Sequence, residues 1–293
     1  MKLSSLLGAL ALSSASAWAE GIRGLFLYKD VTKSDTNAIR TSGYNTVLLF
    51  RFVPQSSGDI LYTASNTPGS GDVMVATNGA YSGGDALAAK VRSLKDGGAI
   101  KRVEIAFDAT RLEGLTANTN GASYLRFKAN LAALKNAWNV DAVHYWEDYD
   151  GAYRPVLRFA NIARDVGLKI SGMGFQIERV STIWEDLQED VNKGRPADNL
   201  LFDRIYVKCF NDSATVYPTS FAHRLKMDTV PVLWTNHNGK MYNTSPDQAR
   251  KKFTDWKKDQ QYIRGGAFWR DSDIETYGPS YQAYGQVLRE VFP

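Results

Sequence analysis

The segment 141-DAVHYWEDYDG-151 begins as a β-strand and ends as a loop crowded with carboxylates. Side chains alternate across a strand, so His144, Trp146 and Asp148 share one face and Val143, Tyr145 and Glu147 the other. The apolar Val143 and Tyr145 suit a layer of covering helices, which turns His144, Trp146 and Asp148 toward an interior. Asp148 is then the better-aimed acid. If the strand has already become loop there, Glu147 swings inward instead; otherwise it forms a salt bridge in the helix layer.

Seven further segments have the same strand-like character: 22–28, 46–52, 102–108, 168–175, 204–210, 230–235 and 265–269. Each is short, apolar or β-branched, and bounded by polar or Gly-rich sequence. Helical patterns lie between them. In 85–95, Leu87, Val91 and Leu94 share a face; in 124–138, Leu131, Leu134 and Trp138 do so. The segment 156–166 has Pro155 at its start and Gly167 as its stop. The segment 181–191 opens on Ser181 as an N-cap. The segment 245–258 turns Ala249, Phe253 and Trp256 inward, and 281–291 closes the chain.

Eight strands alternating with helices predict an α/β fold, a (β/α)8 TIM barrel. A doubly wound open sheet is the alternative, but no Gly-rich dinucleotide fingerprint follows the first strand. The stretch 54–84, rich in Gly, Ser, Asn and Thr, holds strand-like pieces at 59–63 and 72–76. It reads as a β-hairpin insertion after the second strand. No repeat or low-complexity linker divides the chain, so residues 20–293 form one domain.

The first 19 residues read as a secretory signal peptide. Lys2 supplies the basic start, an apolar run follows, and Ala17-Trp18-Ala19 supplies the cleavage site. The run is too short to span a bilayer, and no other segment approaches the ~20 apolar residues required. A secreted monomer without membrane attachment is expected. Loss of Lys2 takes the formal charge from +4 to +3. The remaining basic residues are scattered, which argues against a nucleic-acid partner. Cys209 is the only cysteine and sits in the apolar FDRIYVKCF strand, so it is a packed thiol and no disulfide staples the fold. Aromatic residues make up 12% of the chain, seven of them tryptophans, a composition that suits contact with sugars as well as a large core.

In a TIM barrel the active site lies at the C-terminal ends of the strands. Those ends carry Tyr28, Arg51, Asp108, Trp146-Glu147-Asp148, Gln176 with Glu178, Lys208 with Asn211, Trp234, and Trp269-Arg270-Asp271. The strand interiors read as apolar. The three histidines have no ligand spacing and there is no HExxH or CxxC, so no metal is expected. Neither a GxSxG elbow nor a phosphate-cradling glycine loop occurs, and no cofactor is expected. Carboxylates and aromatics remain, the materials of glycoside hydrolysis and sugar stacking.

With those residues in view, the chain resembles glycoside hydrolase family 18, the chitinase-like barrels, in a divergent form. The resemblance follows the strand order of nearly the whole mature chain. It is most local in 102-RVEIAFD-108, 141-DAVHYWED-148, 204-RIYVKCFN-211 and 265-GGAFWRD-271. That family carries D-x-x-D-x-D-x-E at its fourth strand. Asp141 matches the first aspartate, His144 and Trp146 stand in place of the second and third, and Asp148 stands in place of the catalytic glutamate. At the third strand Asp108 enters where the family has small glycines, and at the sixth Phe210 and Asn211 replace a Tyr-Asp pair. Trp269 matches the tryptophan that floors the sugar site. The resemblance implies a mechanism assisted by the substrate's N-acetyl group, which needs the aspartate that Trp146 replaces.

Two functions follow as expectations. One is a glycoside hydrolase of altered chemistry acting on a polysaccharide. Asp148 or Glu147 would be its general acid and Asp108 the base or stabiliser, with Trp269, Trp234, Trp146 and Tyr28 on the sugars. Gln176, Lys208, Asn211 and Asp271 would supply polar contacts. A carboxyl separation of about 5–5.5 Å would forecast retention and about 6.5–9.5 Å inversion. The other is a glycan-binding barrel without catalysis, signalled by a tryptophan filling the acid pocket. Asn211 and Asn243 are formal N-glycosylation positions.

Overall fold

A computed structural model describes residues 20–63, 71–146, 152–175, 177–210, 217–235 and 244–293. The chain runs β1 (Ile22–Leu27), α1 (Thr36–Thr41), β2 (Thr46–Pro54), β3 (Ile60–Tyr62), β4 (Val73–Thr77), β5 (Ala80–Tyr81), α2 (Asp85–Arg92) and β6 (Arg102–Asp108). It continues with α3 (Ala109–Thr116), α4 (Ala122–Trp138), β7 (Ala142–Trp146), α5 (Tyr153–Asp165), β8 (Lys169–Gly174) and α6 (Ile177–Asn192). The last elements are β9 (Phe202–Lys208), α7 (Pro218–Leu225), β10 (Asp228–Trp234), α8 (Pro246–Asp259), β11 (Gly265–Trp269), α9 (Asp271–Tyr277) and α10 (Tyr281–Val291).

Strands β1, β2 and β6–β11 pair in parallel and close on themselves, because β1 bonds both β2 and β11. This is the (β/α)8 barrel, with β3–β5 as an antiparallel extension of β2. The insertion therefore holds one more strand than the two pieces visible in its sequence. All eight barrel strands lie where the sequence pattern placed them, and 102–108 and 265–269 coincide end for end with β6 and β11.

Period-2 alternation sorts the apolar residues into two cores. Val143, Tyr145, Ile105 and Phe107 face the helices in the large outer core, and Phe26, Leu48, Ala106, Trp146, Met173 and Trp269 fill the barrel. Strand β8 shows how closely the layers meet. A Cβ on Gly172 would stand 2.4 Å from Cη2 of Trp184, and one on Gly174 would stand 2.7 Å from Cε1 of Phe221. These glycines let the aromatics of α6 and α7 lie on the strand backbone.

Helix signals held with two exceptions. Ser245 caps α8 through a capping box with Gln248, and Gly167, at φ +72°, ends α5. Ser181, however, is not an N-cap: α6 already begins at Ile177. Pro155 lies inside the first turn of α5, which starts two residues earlier at Tyr153. The short helices α1, α3, α7 and α9 escaped the pattern because six to eight residues give few turns of periodicity. Cys209 is a packed thiol, 4% exposed, and burial pushes its pKa up.

The barrel interior also corrects the expectation of apolar strands. Arg102, Glu104, His144, Ser171, Arg204 and Tyr206 form a polar column on the inward faces of β6–β9, beneath the aromatics. Glu104 is fully buried. It accepts from Arg102 Nε at 2.7 Å, from Tyr206 Oη at 3.0 Å and from Ser171 Oγ. Arg102 also grips both oxygens of Asp203. Burial opposes the aspartate's charge, but Arg102 and Arg204 outweigh it and hold the Asp203 pKa down at about 2.

The two ends of the described residues meet at the floor of the barrel. Gly21 N donates to the Pro293 carbonyl at 2.9 Å, and Arg23 Nη1 donates to Phe292 O at 3.0 Å. Among the described residues no helix is long and apolar enough to cross a membrane.

Candidate functional site

Parallel pairing sets the inward residues of the strand ends side by side. Asp108 is in register with Trp146, and Trp269 is in register with both Trp234 and Phe26. The result is an aromatic plug across the C-terminal mouth. Trp146 and Trp269 stack with centroids 4.8 Å apart and planes 16° from parallel. Phe50 meets Trp146 edge-on at 4.7 Å, and Tyr28 stacks on Phe50 at 4.7 Å. Phe210 joins Trp234 to Trp269 at 5.2 and 5.9 Å. The stacked tryptophans are 7% and 6% exposed, whereas Tyr28, Phe210 and Trp234 are half-buried. Faces presented outward therefore belong to those three and not to the central pair.

Cations sit on this aromatic surface. Lys208 Nζ lies 4.1 Å from the Trp146 ring centroid, and the Arg270 guanidinium lies 5.0 Å from Tyr28 and 5.8 Å from Trp234. Arg270 Nε and Trp234 Nε1 both reach Asp273 Oδ2, at 3.1 and 2.7 Å. Beneath Trp146, His144 Nδ1 pairs with Ser171 Oγ at 2.8 Å, and Nε2 has no hydrogen-bond partner among the described residues. Burial, with Lys208 and Arg102 adding to it, depresses the His144 pKa to about 3, so the imidazole is neutral at physiological pH.

The carboxylates are distributed unlike the aromatics. Asp108 caps α3, accepting from Thr110 N at 3.0 Å and Thr110 Oγ1 at 2.6 Å, and its other oxygen is 3.6 Å from Arg51 Nη1. Both oxygens are thus engaged in holding the start of α3 and a neighbouring arginine. Asp271 is fully buried; Oδ1 accepts from the backbone of Tyr28 at 2.7 Å and Lys29 at 3.1 Å, and Oδ2 from Ser34 Oγ at 3.2 Å. It ties the end of β1 to α9 and presents nothing to the mouth. Glu147, Asp148, Gln176 and Asn211 lie outside the described residues. Trp146, Trp269, Trp234, Tyr28 and Lys208 come together at one end of the barrel; Asp108 borders them, and Asp271 lies beneath the surface.

Asp271 gives this end of the barrel a pH signature. Burial raises its pKa to about 6 against the pull of the backbone donors. An acid whose folded pKa is raised holds its proton longer in the folded state, so its contribution falls as pH rises from about 4 to about 6 and is level above. Asp271→Asn keeps the acceptor for both amides and can donate to Ser34. Relative to wild type, this variant should gain up to about 3 kcal/mol in unfolding free energy between pH 4 and pH 6.5. Urea melts at the two pH values measure it, and a pH-independent difference would contradict the raised pKa.

No protein-family model matches this sequence, and no curated protein matches it. Solved structures do. The Group IV chitinase of Ostrinia furnacalis superimposes with a TM-score of 0.62 at 10% identity, covering 93% of this chain and 100% of that one. Chitinase A of Streptomyces coelicolor, described as putative, gives 0.59 at 11% identity over 93% and 98%. The spore cortex-lytic enzyme SleL of Bacillus cereus gives 0.59 at 10% identity over 93% and 74%. The chain folds as the same barrel as these three proteins.

Proposed function

We propose that the protein is a secreted, chitinase-like barrel that binds a polysaccharide at its C-terminal mouth without hydrolysing it. One observation carries this reading. Trp146, standing where the resembled family has an aspartate beside its catalytic acid, lies flat on Trp269 and takes the face that would receive a sugar. Sugar contact falls to the half-buried Tyr28, Phe210 and Trp234, with Lys208 and Arg270 as donors. Asp108, held by Thr110 and Arg51, is poorly placed to serve as a base. The fold match includes a tobacco class V chitinase in complex with NAG4, with a TM-score of 0.56 at 8% identity over 92% and 99% of the two chains. A polymer of N-acetylglucosamine is therefore the first ligand to try.

A second reading keeps catalysis. Glu147 and Asp148 follow Trp146 directly in sequence, and either would supply a general acid at the mouth. One experiment separates the two. Wild type, Asp148→Asn, Glu147→Gln and Asp108→Asn are incubated with chitin, chitosan and peptidoglycan, and both retention and reducing-end release are measured. Retention without release in all four proteins is the expected result. Release by wild type that disappears in Asp148→Asn or Glu147→Gln would establish the hydrolase and overturn the binder.

A further inference from the structure

Outside the mouth, a cleft of about 490 Å³ opens between the end of β2 and the helices α3 and α4. Its volume lies within the range of small-molecule sites. Pro54 and Tyr124 supply apolar wall, while Thr110, Arg111 and Asn118 supply hydroxyl, guanidinium and amide. That mixture matches a pyranose, which offers C–H groups on its faces and hydroxyls around its edge. The cleft lies beside the mouth: Thr110 on its wall bonds Asp108, the residue in register with Trp146.

A second observation comes from Gly114, which lines the cleft from within α3. Glycine weakens a helix relative to alanine, so an internal glycine needs a reason. Neither of the usual structural reasons applies. Gly114 is not among the glycines with positive φ, and among the described residues a Cβ built on it meets no atom within 4 Å beyond its own helix backbone. Packing among the described residues makes no use of the missing side chain, whereas close approach by a bound molecule would.

From the cleft and the unneeded glycine we infer that this is an accessory saccharide subsite, holding one or two pyranose units of a chain that continues from the mouth. The inference rests on the polysaccharide reading above and extends it to a chain longer than the mouth alone spans. Leucine favours helix and fills the space over Gly114, so Gly114→Leu should block the cleft without unfolding α3. Arg111→Ala removes its cation without adding bulk.

The test is calorimetric titration of wild type and both variants with hexamers and dimers of N-acetylglucosamine and of glucosamine, with thermal melts as the folding check. Gly114→Leu should weaken hexamer binding about tenfold, leave dimer binding within twofold, and keep the wild-type melting temperature. Arg111→Ala, whose backbone is undisturbed, should weaken the hexamer in the same selective way and stands in if Gly114→Leu melts early. Hexamer affinity unchanged in both variants would overturn the subsite while leaving the mouth as a binding site. A wild type that binds none of the four probes would overturn both.

Discussion

Arg102→Met should destabilise the fold by about 3–5 kcal/mol, the range for breaking a buried ion pair from one side. The guanidinium answers two carboxylates at once, Glu104 inside the barrel and Asp203 at its floor. Glu104 would keep the Tyr206 and Ser171 hydroxyls, but the nearest remaining cation, Arg204, stands at 4.0 Å. Methionine has nearly the right shape, so the loss isolates charge from volume. In a domain of this size the midpoint of thermal unfolding should fall by on the order of 10 °C. Adding Glu104→Leu removes the stranded carboxylate and should recover part of the loss, giving a coupling energy above about 1 kcal/mol in a double-mutant cycle. Additive single losses would mean that the column is a set of independent contacts.

The second large effect concerns the plug. Trp146→Ala removes a ring that touches Trp269, Phe50, Phe26 and the Lys208 ammonium. Large-to-small replacement of a buried tryptophan costs about 3–5 kcal/mol, and the rigid barrel wall limits collapse into the void. Trp146→Phe keeps most of the volume and should cost far less. It also separates stability from binding: a folded Phe variant with weaker glycan retention would show that the wide indole shapes the mouth. A loss under 1 kcal/mol for the alanine variant in urea melts would mean that the ring fills no essential space.

The barrel was legible because eight short apolar runs alternate with helical ones, and 102–108 and 265–269 are bounded as the strands are. The inward turn of Trp146 followed from Val143 and Tyr145, whose apolar character fixed the parity of β7. The polar column was missed although its signal is present. Arg102 and Glu104 sit two apart in 102-RVEIAFD-108, on the parity that faces inward, but their destination depends on pairing with Ser171 and Tyr206, which are 67 and 102 residues beyond Glu104. The role of Asp108 was hidden for the opposite reason. Its partner is Thr110, two residues on, and a carboxylate at a strand end reads the same whether it faces substrate or caps a helix.

The hydrogen bond between Gly21 and Pro293 has a practical meaning for where the protein can be held. Gly21 and Pro293 lie opposite the mouth, so an anchor or reporter fused to a chain begun at Glu20, or after Pro293, starts at the far end of the barrel from it. A short peptide joining the two ends would close the chain into a ring. New ends could then be opened in an outer loop, placing a tag beside the mouth while the eight-strand closure stays whole.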